Sequence, residues 1–148
     1  MALTQTPKRS KKPKIFVDSS VLMAAAISPT GNARELINQG FTQELELYIS
    51  SDVLEETERN LKLKVPKALG KFYDFRESLL AKSVKPTQIQ VLEAAKQIEP
   101  KDAPIIAGAI QAKADFLATY DRKHLLQQKE KIKSIFHLLV VTPDEVVK

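Results

Sequence analysis

The sequence contains no cysteine among its 148 residues. Disulfide bonds and thiolate metal sites are therefore excluded, which is compatible with a reducing cytoplasm. Long apolar runs are missing as well, because the longest one, residues 21–27, is far too short to span a bilayer. The basic N-terminus is not followed by the apolar stretch that a signal peptide requires. From these absences we expect a cytoplasmic protein with no membrane association.

The remaining composition fits one globular domain. A length of 148 residues suits a single core, and the content of 43% hydrophobic and 28% charged residues is ordinary. The net charge of +5 is concentrated at the N-terminus, where residues 1–14 hold five basic side chains and no acid. The other 18 of the 23 basic residues balance the 18 acidic ones. We predict a disordered basic tail at 1–13, either binding phosphate non-specifically or only aiding solubility, and a folded domain at 14–148.

Short apolar segments alternate with helical patterns along the chain. We predict strands at about 15–17, 45–49, 116–119 and 136–141. We predict helices at about 20–26, 33–39, 53–63, 67–82, 87–98, 103–114 and 122–128. Serines precede two of the helices as N-caps, Ser19 or Ser20 for the first and Ser50 or Ser51 for the third. Strands separated by helices imply parallel crossovers, so the predicted fold is a three-layer α/β/α domain with a central, mainly parallel sheet.

Three aspartates fall where such a fold places ligands, at the carboxyl edge of the sheet. Asp18 directly follows the first predicted strand, and Asp121 follows the strand at 116–119 by one residue. Asp102 lies at the amino end of the 103–114 helix, on its apolar face. Each of the three could instead act only as a helix N-cap. Capping does not explain why three acids should arrive at the same edge.

A fourth acid comes from the helix at 53–63. Glu55 points away from the apolar face of this helix, whereas Glu56 and Glu58 lie on opposite flanks, so periodicity leaves both open. A cluster of carboxylates without cysteine suits a hard cation such as Mg²⁺ or Mn²⁺, and the cation would relieve the repulsion among them. The two histidines, His124 and His137, are not predicted to be ligands.

Four segments together resemble the PIN domain, the nuclease domain of VapC-type toxins and related ribonucleases. They are IFVDSSVL (15–22), SSDVLEETERNL (50–61), KDAPIIAGAIQAKADFLATYDRKHLL (101–126) and VVTPDEVV (140–147). The third segment is the most specific, because an Asp opens an Ile/Ala-rich helix and a T-x-D pattern precedes a Leu pair. The resemblance covers about residues 14–147.

The resemblance implies a Mg²⁺- or Mn²⁺-dependent endoribonuclease, with one or two ions that activate water for phosphodiester hydrolysis. The register of the second motif selects Glu56 over Glu58. The positions that match the metal-binding and catalytic acids of the family are Asp18, Glu56, Asp102 and Asp121. The hydroxyl positions that sit beside the metal are matched by Ser19 and Thr119.

Two further residues depart from that pattern. Asp115 matches a frequent extra acid of the family, but it precedes a strand, so we expect it at the opposite end of the sheet. Tyr120 stands where smaller or basic residues are common, which we expect to affect substrate access.

The resemblance also implies partners: an RNA substrate, a protein antitoxin and a second copy of the chain in a homodimer. The amphipathic segment 67–82 could supply a dimer surface or could equally be core. Aromatic residues make up only 6% of the chain, so no base-stacking platform is evident. Two other functions stay open, a non-catalytic RNA- or protein-binding PIN-like module and a housekeeping RNA-processing nuclease. A phosphatase of the haloacid-dehalogenase type is disfavoured, because Ser20 occupies the position of its second aspartate.

Overall fold

Five strands and seven α-helices make up most of the described residues, 12–148 of this computed structural model. The strands are β1 (Lys14–Val17), β2 (Glu46–Ser50), β3 (Ser83–Val84), β4 (Phe116–Ala118) and β5 (Leu139–Val141). The helices are α1 (Ser19–Ile27), α2 (Asn32–Phe41), α3 (Ser51–Lys64), α4 (Leu69–Leu80), α5 (Gln88–Ala95), α6 (Ala103–Gln111) and α7 (Lys129–Phe136). Short 3₁₀ turns lie at Pro66–Ala68 and Pro143–Glu145, and one π-helical turn at Arg122–Leu126.

All strand pairings in the sheet are parallel, and the strand order is β3-β2-β1-β4-β5. The central strand β1 pairs Ile15 with Leu47 of β2 and Phe16 with Leu117 of β4, and all four side chains are buried. Apolar strands of this kind are typical of a sheet covered on both faces. The predicted three-layer α/β/α fold is therefore confirmed, and the sheet is parallel throughout.

The helices pack as two layers on the sheet. On one side α1 packs against α2, α3 and α4, and on the other side α6 contacts β1 and β2 and carries α5. The amphipathic segment at 67–82 buries Phe72, Phe75 and Leu79, so this face is part of the core. None of the helices within residues 12–148 combines the length and apolar character needed to cross a membrane.

Three elements differ from the sequence prediction. The strand predicted to begin at residue 136 begins at Leu139, because Phe136 ends α7 and His137 takes a left-handed conformation with φ of 57° after it. The helix α7 and the two-residue strand β3 were not predicted, although α7 carries apolar residues at i, i+3 and i+4 (Ile132, Ile135 and Phe136); β3 is too short to show a pattern. The predicted disordered tail lies mostly at residues 1–11, outside the described residues. The carbonyl of Pro13 already accepts a hydrogen bond from the amide of Glu46, at 2.9 Å.

Gly108 allows α6 to approach the central strand closely. A Cβ atom at this position would lie 2.8 Å from Cζ and 3.1 Å from Cε2 of the buried Phe16 ring. The same atom would lie 3.7 Å from Cβ of Ser50, the last residue of β2. The distance between α6 and the sheet, and with it the position of the start of α6, therefore depends on this glycine.

We expect Gly108→Ala to lower the free energy of unfolding by about 1 kcal/mol, since overpacking costs about 1–3 kcal/mol and alanine returns up to about 1 kcal/mol of helix propensity. Gly70→Ala is the matched control, because nothing lies within 4 Å of a Cβ there and stability should hold or rise. Urea unfolding measures both variants. Equal stabilisation by the two substitutions would contradict the close approach at Gly108.

Candidate active site

Four carboxylates from four different elements meet at the carboxyl edge of the sheet, and we call them the acidic site. Asp18 follows β1, Asp121 follows β4 and its short Thr-Tyr connection, Asp102 precedes α6, and Glu56 lies in α3. Their electrostatic coupling shows their proximity, because Asp18 and Asp121 both raise the pKa of Glu56, and Asp121 also raises the pKa of Asp102. The strand order explains the meeting, since β1 and β4 are neighbours.

Asp18 is buried and is held by two hydroxyl groups. Its Oδ2 accepts hydrogen bonds from Oγ of Ser20 and from Oγ1 of Thr119, both at 2.8 Å. Its backbone amide donates to the carbonyl of Ala118 at 3.1 Å, which continues the pairing of β1 with β4. The carboxylate is thus satisfied by neutral donors, as a buried charge without a basic partner must be.

The two hydroxyls also fix the chain after β4. Oγ of Ser20 accepts from the amide of Tyr120, and Oγ1 of Thr119 accepts from the amide of Asp121, both at 2.9 Å. The serine cap predicted for α1 is wrong: Asp18 occupies the N-cap position, and its side chain makes no capping bond. The physical reason is that Ser20 uses its hydroxyl to join the ends of β1 and β4.

Ser20 is a site residue that the sequence analysis missed, since the resemblance pointed to Ser19. Ser19 lies close enough to Glu56 for its hydroxyl to lower the pKa of that carboxyl. The signal for Ser20 was its spacing, because a hydroxyl two residues after an aspartate is placed for a local side-chain bond.

Asp102 and Asp121 make different hydrogen bonds. Asp121 Oδ1 accepts the amide of His124 at 3.2 Å and so caps the π-helical turn. Asp102 is buried at the N-cap position of α6 without a capping bond, and Nε2 of Gln128 approaches its Oδ2 at 3.4 Å. Burial is the main cause of the raised pKa of Asp102, with His124 and Gln128 acting in the opposite direction.

The structure places Glu56 and Glu58 in different environments. Burial first, and then the charge of Asp18, raise the pKa of Glu56, whereas the hydroxyl of Ser19 lowers it. Glu58 accepts from the hydroxyl of Tyr73 at 2.7 Å and pairs with Lys62 at 3.6 Å, and the tyrosine bond is the main cause of its lowered pKa. Glu56 therefore belongs to the acidic site, and Glu58 belongs to the contact of α3 with α4.

Asp115 lies at the opposite end of the sheet, as predicted. Its Oδ2 accepts the amide of Lys14 at 2.9 Å, and its own amide donates to the carbonyl of Lys14 at 2.8 Å. These bonds join the starts of β1 and β4, so the role of Asp115 is to pair the strands.

The donor chemistry of the acidic site fits a hard divalent cation. All four side chains offer carboxylate oxygens, and the ion pairs found within residues 12–148 involve none of them. As placed in the described part of the chain, no three acidic or histidine side chains lie close enough to form a ready-made ligand shell. Mutual repulsion of carboxylates favours such a spread arrangement, and a cation is what would offset it.

A parallel α/β sheet with acids at its carboxyl edge defines an α/β domain with an oxygen-rich acidic site. The model of the PIN domain family matches residues 14–123, and the chain belongs to the PIN domain family. The fold is similar to that in the crystal structure of PAE2754 from Pyrobaculum aerophilum, with a TM-score of 0.55 and 19% sequence identity. That similarity covers 88% of this chain and 92% of the other, and at this identity it shows the fold alone. The chain matches none of the curated proteins.

Removing the hydroxyl of Thr119 tests the network around Asp18. Thr119→Val keeps the side-chain shape in this fully buried position but removes one donor to Asp18 and the acceptor of the Asp121 amide. We expect the free energy of unfolding to fall by about 1–3 kcal/mol, the cost of leaving buried polar groups unsatisfied. Thr119→Ser retains the hydroxyl and should lose clearly less in urea unfolding. A similar loss in both variants would show that packing, and not the hydroxyl, matters there.

The raised pKa values of Glu56 and Asp102 predict a pH dependence of stability in metal-free buffer with a chelator. The folded state keeps protons that the unfolded chain releases above the ordinary pKa values of 4.5 and 3.8. This stabilisation is fully present below those values and is lost as pH rises through the raised pKa values. These two carboxyls should therefore make the free energy of unfolding, measured with urea at several pH values, decrease as pH rises.

In Glu56→Gln the free energy of unfolding should decrease less with rising pH, because glutamine cannot take up the proton. Glu58→Gln is the control, since the pKa of Glu58 is lowered and its removal should not reduce the fall. An unchanged pH profile in Glu56→Gln would show that Glu56 is not coupled to the other acids.

Proposed function

We propose that this protein is an endoribonuclease that depends on Mg²⁺ or Mn²⁺. One observation carries the proposal: within a PIN domain, four carboxylates lie at the carboxyl edge of the sheet, and the ion pairs found within residues 12–148 involve none of them. The residues that would hold one or two ions are Asp18, Glu56, Asp102 and Asp121. Family membership supports the nuclease class, and the oxygen-only donor set supports the cofactor.

The residues of this chain have distinct tasks in that reaction. A bound divalent cation would supply a water of lowered pKa and would offset charge on the phosphodiester. Ser20 and Thr119 orient Asp18, while the hydroxyl of Ser19 lies beside Glu56 and lowers the pKa of its carboxyl. The proton of the attacking water would pass to the carboxylate cluster, since a carboxylate within hydrogen-bond reach is a competent general base.

The biological role that we propose is the toxin component of a toxin–antitoxin system in the cytoplasm, acting on RNA and controlled by a protein antitoxin. The resemblance of the motifs to VapC-type toxins supports this role, and the absence of cysteine is compatible with the compartment. A homodimer is part of the same proposal. A housekeeping RNA-processing nuclease is the alternative, and a small antitoxin encoded by the neighbouring reading frame would favour the toxin.

Conservative substitutions test the nuclease assignment. Asp18→Asn and Glu56→Gln should each lower Mn²⁺- or Mg²⁺-dependent cleavage of RNA by more than about a hundredfold, because each removes a charged oxygen ligand. Glu58→Gln is the matched control two residues away, and its cleavage rate should equal that of the wild type. Full metal-dependent cleavage by Asp18→Asn would overturn the assignment.

Calorimetry separates the enzyme from a non-catalytic PIN-like binding module. The wild type should bind Mn²⁺ at millimolar concentration, and Asp18→Asn should bind it more weakly. A wild type that binds RNA but no Mn²⁺ would favour the binding module.

A further inference from the structure

A cleft with basic and amide side chains opens beside the acidic site. It has a volume of about 340 Å³ and lies between the chain segment that leads into α6 and the π-helical turn after β4. Its walls are formed by Glu99, Lys101, Lys123, His124, Gln127 and Gln128. None of these residues belongs to the four carboxylates, so the nuclease assignment leaves the cleft unexplained.

The amine of Lys101 contacts a histidine and not the aspartate next to it in the chain. Its Nζ lies 2.8 Å from Nε2 of His124, although Asp102 is its neighbour in the chain. The ion pairs found within residues 12–148 involve neither Lys101 nor Lys123. Two exposed ammonium groups therefore line the cleft, with Glu99 in its wall and Asp102 close enough for the charge of Lys101 to act on its carboxyl.

Gln128 connects this cleft to the acidic site. Its Nε2 donates to the carbonyl of His124 at 2.8 Å and approaches Oδ2 of Asp102 at 3.4 Å. The cleft is therefore adjacent to the Asp102 side of the acidic site.

Apart from the basic N-terminal segment, the domain has no excess of positive charge that would attract RNA. Beyond residue 14 the basic and acidic residues balance, and the acidic site itself repels a polyanion. Lysine ammonium groups bind phosphate oxygens through charge-assisted hydrogen bonds. The amide of Gln127 can donate to a phosphate or to a ribose 2′-hydroxyl.

We propose that the cleft formed by Lys101, Lys123 and His124 is the subsite that binds an RNA phosphate next to the one being cleaved. His124 positions the amine of Lys101, and the two lysines provide the charge. The proposal rests on the proposed nuclease function and adds to it the place where the backbone of the substrate is held.

The test measures RNA binding without catalysis, because loss of Lys101 could also change the neighbouring Asp102. Fluorescence anisotropy of a single-stranded RNA oligonucleotide, in EDTA and over a series of salt concentrations, gives the affinity and its salt slope. The variant Lys101→Gln with Lys123→Gln should bind at least about tenfold more weakly, as expected when charge-assisted bonds are lost. The slope of log K against log salt should shrink by about 0.7, for one phosphate contact on a single strand.

The matched control is Lys64→Gln with Lys67→Gln, which removes the same charge elsewhere. The helix α3 begins at the acidic edge and ends at Lys64, and its 14 residues span about 20 Å. The control should keep the affinity and the slope of the wild type. Lys101→Arg with Lys123→Arg should restore most of the binding, since arginine also binds phosphate.

The outcomes separate this proposal from the nuclease assignment when cleavage with Mn²⁺ is measured in parallel. When the wild type cleaves RNA, two results overturn the subsite and keep the nuclease. One is equal weakening of RNA binding in both glutamine pairs, and the other is no weakening in either pair. Selective weakening in the Lys101 and Lys123 variant, with no cleavage by the wild type, keeps the subsite and overturns the nuclease. A wild type that neither binds nor cleaves RNA overturns both.

Discussion

The arrangement of the acidic site depends on one buried carboxylate. Asp18 ends the central strand, only 7% exposed, and its charge must be stabilised without a basic side chain. Ser20 and Thr119 supply that stabilisation, and the same hydroxyls accept backbone amides that follow β4. A single polar network therefore compensates the charge and joins the ends of two strands. Because such a network is costly to leave half satisfied, it also fixes where Asp121 must lie.

The other carboxylates of the acidic site lie around Asp18, and their positions reduce local stability. Packing brings Glu56 and Asp102 into partly desolvated positions near other carboxylates, and both pKa values rise as a result. A fold selected only for stability would pair or replace these charges. The acids persist at one edge without ion pairs in the described part of the chain. Their cost is understandable if a cation completes the site.

The sequence predicts those parts of the site that depend on local pattern. Asp18 and Asp121 follow apolar strands, and Asp102 extends an apolar helix stripe, so their placement needs only the parallel-sheet rule. Glu56 could not be separated from Glu58 by periodicity, because the difference lies in Tyr73, which reaches Glu58 from another helix. The role of Lys101 escaped for the same reason, since its partner His124 is 23 residues away. Ser20 bonds locally to Asp18, but its contacts with Thr119 and Tyr120, 99 and 100 residues away, depend on the fold.

The distribution of charge decides how such a domain can act on a polyanion. Fold and family define the chemistry of the acidic edge, but they do not define what the edge accepts, since function resides in the site and not in the fold. Beyond residue 14 the charges balance, so under the proposed function RNA would be attracted by the basic N-terminal segment or where the balance is broken locally. The cleft of Lys101, Lys123 and His124 is such a place, and Gln128 links it to Asp102. Opposite charges held a few residues apart, one set for a cation and one for phosphate, are what cleavage of a polyanion by an acidic site requires.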